Sequence, residues 1–265
     1  MSSLHDQTWL LIGASGGIGS AVLKRLVDLG ATVITTARQP QPPRQWPDSA
    51  RVIPVQLDLT AVDLGVHLRR LVAEYGLPDG MIHCAGVNRF VAAENNDDQS
   101  LQEMLDVNLR SAMIVARELL SGFRQRGRGT LLFVGSTFGS IGYPGYSAYC
   151  ASKFGLRGFV EALRRELSDT SLRVRYVAPR ATQTGMNGAD VEALNEQLGN
   201  RMDTPEQVAD RIIQALQGQR ATLFLGWPET LFVRLNAVLP ALVDKALRKQ
   251  LPIIQRFLKK GAVSP

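Results

Sequence analysis

The sequence predicts an α/β protein with a doubly wound parallel sheet of about seven strands, helices on both faces and a helical C-terminal extension. Short apolar runs of strand length alternate with longer helix-period segments over residues 8–225, and such alternation is typical of parallel sheets. The chain has 265 residues, 45% of them hydrophobic, which suits one domain with a small appendage. Right-handed crossovers place helices on both faces, and ligands then bind beyond the carboxyl ends of the strands.

The periodicity assigns the elements in order along the chain. Strands are predicted at residues 8–12, 32–36, 52–55, 80–84, 130–134, 173–177 and 221–225. Helices are predicted at residues 20–29, 64–75, 101–123, 146–167 and 205–216. Two segments interrupt this pattern. Residues 39–49 contain four prolines and are expected to form a surface loop. Residues 180–203 have few periodic apolar positions and are expected to form a lid over the site.

Charge divides the chain into residues 1–226, the main domain, and residues 227–265, the tail. The whole chain carries a net charge of +6. The tail contains seven basic and two acidic side chains, so the main domain is nearly neutral. A general nucleic-acid-binding surface is therefore not expected.

Prolines at 228, 240 and 252 predict three short helical pieces in the tail, because proline is favoured in the first turn of a helix. One helical face carries Leu231, Leu235, Val238 and Leu242. A second apolar cluster has basic neighbours and comprises Ile253, Ile254, Phe257 and Leu258 beside Arg256, Lys259 and Lys260. Two interpretations remain open. Residues 228–261 could lie on an anionic membrane, or their apolar faces could pack on the domain or on another subunit.

A glycine-rich turn between the first strand and the first helix is the candidate nucleotide-binding site. A turn of this kind at this position makes the predicted fold Rossmann-like. Its residues are Gly13, Ser15, Gly17, Ile18 and Gly19. Small residues allow the backbone to approach a pyrophosphate, and the helix start offers N–H groups to its charge. The glycine spacing departs from the usual motif, and simple strand–helix packing is the alternative explanation.

The end of the second strand favours NADP(H) over NAD(H). No carboxylate is present there to bind the ribose hydroxyls, and Arg38 could pair with a 2′-phosphate. A solvated surface arginine is the alternative. Asp58 and Leu59 follow the third strand, where Asp58 could bond the adenine amine or cap the next helix.

Tyr149 and Lys153 lie four residues apart on a predicted helix, on one face and within reach of each other. Free tyrosine titrates near ~10, and a neighbouring cation lowers that pKa towards useful acid–base chemistry. A surface pair is the alternative for these two residues taken alone. Ser136 follows the fifth strand, so its hydroxyl is expected at the carboxyl end of the sheet.

The chain resembles the short-chain dehydrogenase/reductase family over residues 8–225. The resemblance rests on the glycine turn, Asp58, Cys84-Ala85-Gly86, Asn108, Ser136, Tyr149 and Lys153, which occur in the family's order and approximate spacing. It implies an NADP(H)-dependent oxidoreductase that acts on a carbonyl or alcohol group. It also implies a homo-oligomer, a dimer or a tetramer.

The resemblance also implies roles for individual residues. Tyr149 would exchange a proton with the substrate oxygen, which Ser136 would hold. Lys153 would bind the nicotinamide ribose and lower the Tyr149 pKa. Asn108 would hold a water next to Lys153, or it could instead be an asparagine bonded to the backbone within its helix. Pro179 and Thr184 match the family's segment after the sixth strand, and Thr184 would contact the nicotinamide amide.

Three positions depart from the family pattern. Ile12 replaces the threonine that ties the turn to a neighbouring strand, so the turn must be held differently. Cys84 replaces an asparagine and is interpreted as a buried small residue rather than a nucleophile. Arg180 replaces a glycine, and it could narrow the site, bind an anionic substrate group or point to solvent.

The resulting hypothesis is a carbonyl reductase or alcohol dehydrogenase. Its substrate could be lipid-like or acyl, because a tail docked on a membrane would bring the enzyme to such substrates. A sensor or scaffold that binds a nucleotide without turnover and a tail-anchored peripheral membrane protein are the alternatives. Two cysteines and a polar N-terminal segment favour a cytoplasmic protein, with or without membrane association. The three histidines lack metal-ligand spacing, so no metal is expected.

Overall fold

Seven parallel strands form a single sheet in the computed structural model, which describes residues 4–39, 46–47 and 49–261. The sheet order is β3-β2-β1-β4-β5-β6-β7. The strands are β1 (Thr8–Ile12), β2 (Thr32–Ala37), β3 (Val52–Gln56), β4 (Gly80–His83), β5 (Thr130–Val134), β6 (Arg173–Ala178) and β7 (Thr222–Phe224). The strand order reverses between β1 and β4, which opens a crevice at their carboxyl ends. The predicted doubly wound fold is confirmed.

Nine α-helices surround and extend this sheet in the described part of the chain. They are α1 (Gly17–Asp28), α2 (Leu64–Tyr75), α3 (Asp98–Leu105), α4 (Ser111–Arg126), α5 (Ser147–Glu166), α6 (Ala189–Gln197), α7 (Pro205–Gln217), α8 (Glu229–Val238) and α9 (Pro240–Gly261). One core cluster joins α1 and α7 to the sheet through residues such as Leu23 and Ile212. A second core cluster covers the opposite face with α2, α4 and α5, through residues such as Leu68 and Leu156.

The predicted helix over 101–123 is two helices joined by a π-helical turn, Asp106–Arg110. The first of them, α3, begins earlier than predicted because the Asp97 side chain accepts a hydrogen bond from Ser100 N and caps it. The π turn contains Asn108, whose side chain bonds to Val87 outside the helix. A π-helical turn inside a helix often marks a functional site.

Two segments that interrupt the predicted pattern contain regular structure. Residues 180–203, which were expected to form a lid over the site, contain α6, whose Leu194 is buried against α9. Pro252 was expected to divide the tail, yet it lies inside α9. Buried Ile254 and Phe257 follow that proline, and their packing outweighs the backbone hydrogen bond that proline cannot donate.

Some predicted features lie outside the described residues. Of the proline-rich segment, Pro40, Pro42 and Pro43 are not described, nor are residues 262–265 of the tail. The side chain of Lys260 is likewise outside the description.

Candidate active site

The turn between β1 and α1 opens into a large cleft at the carboxyl end of the sheet. Gly13 has φ 85°, and a Cβ there would collide with the Ala85 backbone. A Cβ at Gly19 would collide with the Gly13 carbonyl oxygen. Helix α1 begins at Gly17 with no side-chain cap and no acidic residue in its first turn. The turn therefore brings bare backbone and a positive helix end to the cleft, as an anion such as a pyrophosphate requires.

Trp46 holds this turn in place of the threonine that Ile12 replaces. Its indole Nε1 donates to the Ala14 carbonyl oxygen at 3.0 Å, and the side chain is buried. Cys84 N also donates to Ile12 O at 2.8 Å, which ties the turn to the segment after β4. The prediction of a surface loop over residues 39–49 is therefore wrong for Trp46, because its ring packs with the core under α1.

Arg38 lies at the rim of the cleft, after β2. Its side chain is 75% exposed and Nη1 is 3.8 Å from Glu103 Oε1. Asp58 accepts hydrogen bonds from Thr60 N at 2.9 Å and Thr60 Oγ1 at 2.8 Å, and these bonds lower the pKa of its carboxyl. The next helix begins only at Leu64. Asp58 therefore caps a local turn and not that helix, which corrects one of its two predicted roles.

Ser136, Tyr149 and Lys153 meet beside the end of β5. The Ser136 hydroxyl accepts from Phe138 N at 3.1 Å and is hydrogen-bonded to the Tyr149 hydroxyl. Lys153 Nζ donates to the Val134 carbonyl oxygen at 3.3 Å and lies 5.8 Å from the centre of the Tyr149 ring. Tyr149 and Lys153 are both almost fully buried. The arrangement places a proton donor, a hydroxyl and an ammonium around one point of the cleft.

Burial controls the protonation of this group. It raises the pKa of Tyr149 to about 12, against the opposing effect of the Ser136 hydrogen bond. It also lowers the pKa of Lys153 to about 8. The net shift of the Tyr149 pKa is therefore upward, because desolvation of the phenolate outweighs the influences that lower it. That Lys153 lowers this pKa stays a prediction. Near neutral pH the phenol carries its proton and Lys153 carries its charge.

Asn108 is fully buried and supports the site from behind. Its amide exchanges hydrogen bonds with both backbone groups of Val87, at 2.8 and 2.9 Å, and donates to Ser152 Oγ at 2.9 Å. Asn108 is thus bonded to backbone, as one alternative expected, but to the segment after β4 rather than to its own helix. These bonds fix that segment against α5, which carries Tyr149 and Lys153.

A single cleft of about 1120 Å³ gathers all but one of the predicted site residues. Asn108, which lies behind the wall, is the exception. The cleft is lined by Gly13, Ser15, Gly17, Ile18, Gly19, Arg38, Asp58, Leu59, Cys84, Ala85, Gly86, Ser136, Tyr149, Lys153, Pro179 and Thr184. A Cβ at Gly17 would lie 2.9 Å from Thr184 Cγ2, so the segment after β6 closes over the glycine turn.

Arg180 has a role that none of the sequence alternatives anticipated. It is mostly buried and paired with two carboxylates, Asp203 Oδ1 at 2.6 Å and Glu229 Oε2 at 3.4 Å. It therefore joins the two ends of the 180–203 segment and ties them to α8. Because both carboxylates already occupy its guanidinium, we do not assign Arg180 to an anionic substrate.

Two residues at the carboxyl end of β4, His83 and Cys84, are unreactive because of burial. The Cys84 side chain is half-buried, and burial raises the pKa of its thiol to about 12, so it is not a ready nucleophile. The His83 ring is fully buried 2.9 Å from Ser111 Oγ, and burial together with the Lys153 charge lowers its pKa to about 3. Over the described residues, no group of histidine, cysteine, aspartate and glutamate side chains is arranged to hold a metal.

Sequence reasoning missed the residues of the tail that line the cleft. They are Trp227, Pro228, Glu229, Phe232, Val243, Ala246, Leu247 and Gln250. The last four follow the spacing i, i+3, i+4, i+7 of one helical face, so periodicity alone could have grouped them. The apolar face that was singled out, from Leu231 to Leu242, is largely exposed instead.

Residues 7–195 match the family model described as short chain dehydrogenase. Two curated relatives are 3-oxoacyl-[acyl-carrier-protein] reductases. One, from Vibrio cholerae, is 28% identical over 87% of this chain and 94% of its own length. The other, from Salmonella typhimurium, is 30% identical over 71% of this chain and 78% of its own.

Solved structures show the same architecture. A short-chain dehydrogenase from Streptomyces avermitilis has a TM-score of 0.77 and 26% identity, covering 92% of this chain and 98% of that one. A short-chain dehydrogenase from Burkholderia cenocepacia, solved in complex with NADP, has a TM-score of 0.79 and 22% identity, covering 93% and 99%. At that identity, the second likeness concerns the fold alone.

Proposed function

The chain belongs to the short-chain dehydrogenase/reductase family of NAD(P)(H)-dependent oxidoreductases, and from that premise we propose that it is an NADP(H)-dependent carbonyl reductase or alcohol dehydrogenase. The observation that carries the proposal is the meeting of Ser136, Tyr149 and Lys153 in the cleft that the glycine turn also lines. Residues 1–226 would bind the dinucleotide and carry the chemistry, and residues 227–265 would complete the site.

The residues of the cleft fit a dinucleotide. The bare start of α1 suits the pyrophosphate, Arg38 and Asp58 lie at the adenosine end, and Cys84, Ala85 and Gly86 line the middle. Pro179 and Thr184 cover the end next to Tyr149 and Lys153. When bound, the nicotinamide supplies or accepts the hydride.

Proton transfer in this proposal belongs to Tyr149. In the reducing direction its phenol donates a proton to the substrate oxygen, while Ser136 holds that oxygen by a hydrogen bond. The charge of Lys153 then stabilises the phenolate that remains. The high pKa of Tyr149 keeps the donor protonated before reaction.

We predict that Arg38→Asp lowers the affinity for NADPH by roughly 10- to 150-fold, the loss expected for a charge-assisted bond to a phosphate. The affinity for NADH should change little, because NADH has no 2′-phosphate. Binding of each dinucleotide is measured by fluorescence titration. Arg70→Asp makes the same substitution at an exposed position on α2 outside the cleft, so it should leave both affinities unchanged. An equal loss for NADH and NADPH would remove Arg38 from the 2′-phosphate site.

An apolar acyl or otherwise lipid-like substrate is the substrate class we propose. Two observations support it. The relatives from Vibrio cholerae and Salmonella typhimurium are named for reduction of a 3-oxoacyl group. Apolar side chains of the tail, among them Phe232, Val243 and Leu247, line the cleft.

Peripheral membrane contact through the tail is a second candidate function. Within the described residues, no helix combines the length and the apolar character needed to span a bilayer. However, Leu231, Val238, Leu239 and Leu242 are exposed on a tail with a large excess of basic side chains. Ile254 and Phe257 do not belong to this exposed face, because they pack on Leu194.

Val238→Glu should weaken flotation of the protein with vesicles that contain phosphatidylserine, because it places a carboxylate in the exposed apolar face. Val238 is 76% exposed, and Val62, which is 95% exposed in the main domain, provides the matched variant Val62→Glu. Wild type and Val62→Glu should float alike. Membrane contact is rejected if the wild type does not float, or if Val238→Glu floats to the same extent as the wild type.

We also propose that the protein is cytoplasmic or membrane-associated and that it acts as a homo-oligomer, a dimer or a tetramer. Exposed apolar side chains on α3, α4 and α5, namely Leu105, Met113 and Phe154, offer a surface that a second copy could cover. The remaining alternative, a nucleotide-binding sensor or scaffold, differs from the enzyme in binding NADPH without reducing any carbonyl substrate.

A further inference from the structure

One face of α9 fronts the active-site cleft over two helical turns. Val243, Ala246, Leu247 and Gln250 share this face and line the cleft. The distance from Val243 to Gln250 along the helix is roughly 10 Å at 1.5 Å per residue. Further along the same face, Ile254 and Phe257 are buried. The helix is thus anchored at one end and lines the cleft with the other.

The anchor also positions the opposite wall. Ile254 and Phe257 pack against Leu194 of α6, and α6 lines the cleft through Val191 and Leu194. Near the catalytic tyrosine, the Tyr143 hydroxyl is 3.5 Å from Gln250 Oε1, and the Tyr143 ring stacks on Phe138 beside Tyr149. The groove between α6 and α9 therefore begins close to the reacting phenol.

The charged groups at this groove are either paired with one another or at its edge. Arg180 is paired with both Asp203 and Glu229, so its own charge is compensated and the three groups together carry one excess negative charge. Arg201, at the end of the segment that carries α6, is exposed. The apolar side chains of Val191, Leu194, Val243 and Leu247 line the groove together with the polar side chains of Asn195 and Gln250. The apolar ones gain free energy by removing an apolar ligand surface from water.

We infer that the groove between α6 and α9 binds the unbranched alkyl chain of the substrate, and that Ala246 and its neighbours on α9 set the accepted chain length. The inference rests on the proposed function, because the chain is attached to the carbonyl that Tyr149 protonates. The straight wall offered by one helix face suits an extended chain, and its small residue, Ala246, leaves room for it. The tail is in this view a specificity element of the enzyme.

The test measures binding without turnover. The protein is loaded with the oxidised form of whichever dinucleotide it binds, so no hydride is available, and a series of straight-chain methyl ketones from butanone to dodecanone is titrated by calorimetry. Affinity should rise by about fourfold per methylene until the groove is filled, as expected for burial of each CH₂. Ala246→Trp should bind the shortest ketones like the wild type, and it should lose at least about tenfold for the longest, because two or more methylenes are then excluded.

Ala241→Trp is the matched control, since Ala241 is exposed on α9, as Ala246 is, but does not line the cleft. It should bind the whole series like the wild type. The inference is overturned if no ketone binds, if wild-type affinity is independent of chain length, or if Ala246→Trp and Ala241→Trp behave alike. Oxidation of the reduced dinucleotide by the same ketones is recorded separately. Chain-length-dependent binding without any turnover would reject the proposed function and leave the groove assignment intact.

Discussion

Tyr149→Phe is expected to lower kcat/KM for carbonyl reduction by about 10²–10⁴-fold, the usual contribution of a positioned general acid. The substitution removes one hydroxyl that is hydrogen-bonded to Ser136 and leaves the ring in place. The ring is nearly buried and packs against Phe138 and Tyr146. Folding and dinucleotide affinity should therefore change little. Turnover is measured as oxidation of NADPH over a panel of aldehydes and ketones.

Tyr146→Phe is the matched control for this prediction. Tyr146 is also buried in the cleft wall, and its ring centre lies 6.0 Å from that of Tyr149. Burial raises its pKa as well, but it lacks the hydrogen bond to Ser136. Tyr146→Phe should keep most of the activity. If both variants were equally impaired, the Tyr149 hydroxyl would have no special role. If the wild type bound NADPH and reduced nothing on the panel, the scaffold alternative would be favoured.

The fold was predictable because each strand is a short run built around apolar residues, with clear ends. β1, β5 and α2 have the predicted bounds, and the other strands differ by one residue or two. The catalytic group was predictable for a related reason. Tyr149 and Lys153 are one helical turn apart, and Ser136 follows a strand, so local geometry made a shared site possible. The family resemblance then grouped the three as catalytic residues.

The features that could not be predicted depend on contacts between distant parts of the chain. Trp46 lies in a proline-rich segment, and nothing local indicates that its indole reaches the Ala14 carbonyl oxygen. Arg180 finds Asp203 and Glu229 only once the lid segment and the tail are folded. Pro252 has the local signature of a helix start, which the burial of Ile254 and Phe257 after it overrides.

Lys153→Met is expected to abolish most of the activity while making the dinucleotide-free protein more stable. Burial lowers the pKa of Lys153 from 10.5 to about 8, so folding disfavours its charged form. Below pH 8 the lysine is charged in both the folded and the unfolded states, and the folded state bears the full cost, about 3 kcal/mol for such a shift. Methionine removes this cost and loses the hydrogen bond to Val134 O, worth about 1 kcal/mol. The free energy of unfolding should rise by about 2 kcal/mol near neutral pH.

The pH dependence identifies the source of that gain. Between pH 8 and 10.5 the unfolded state binds more protons than the folded state at Lys153, so wild-type stability should rise with pH in this range. Lys153→Met should lack this rise, whereas Lys24→Met, at an exposed position on α1, should retain it. Urea denaturation at several pH values measures both effects. In the wild type, kcat/KM should fall above about pH 8 as Lys153 loses the charge that stabilises the phenolate. The prediction fails if Lys153→Met is no more stable than the wild type below pH 8 and its free energy of unfolding rises with pH as steeply above pH 8. The charge on Lys153 would then carry no cost in folding free energy.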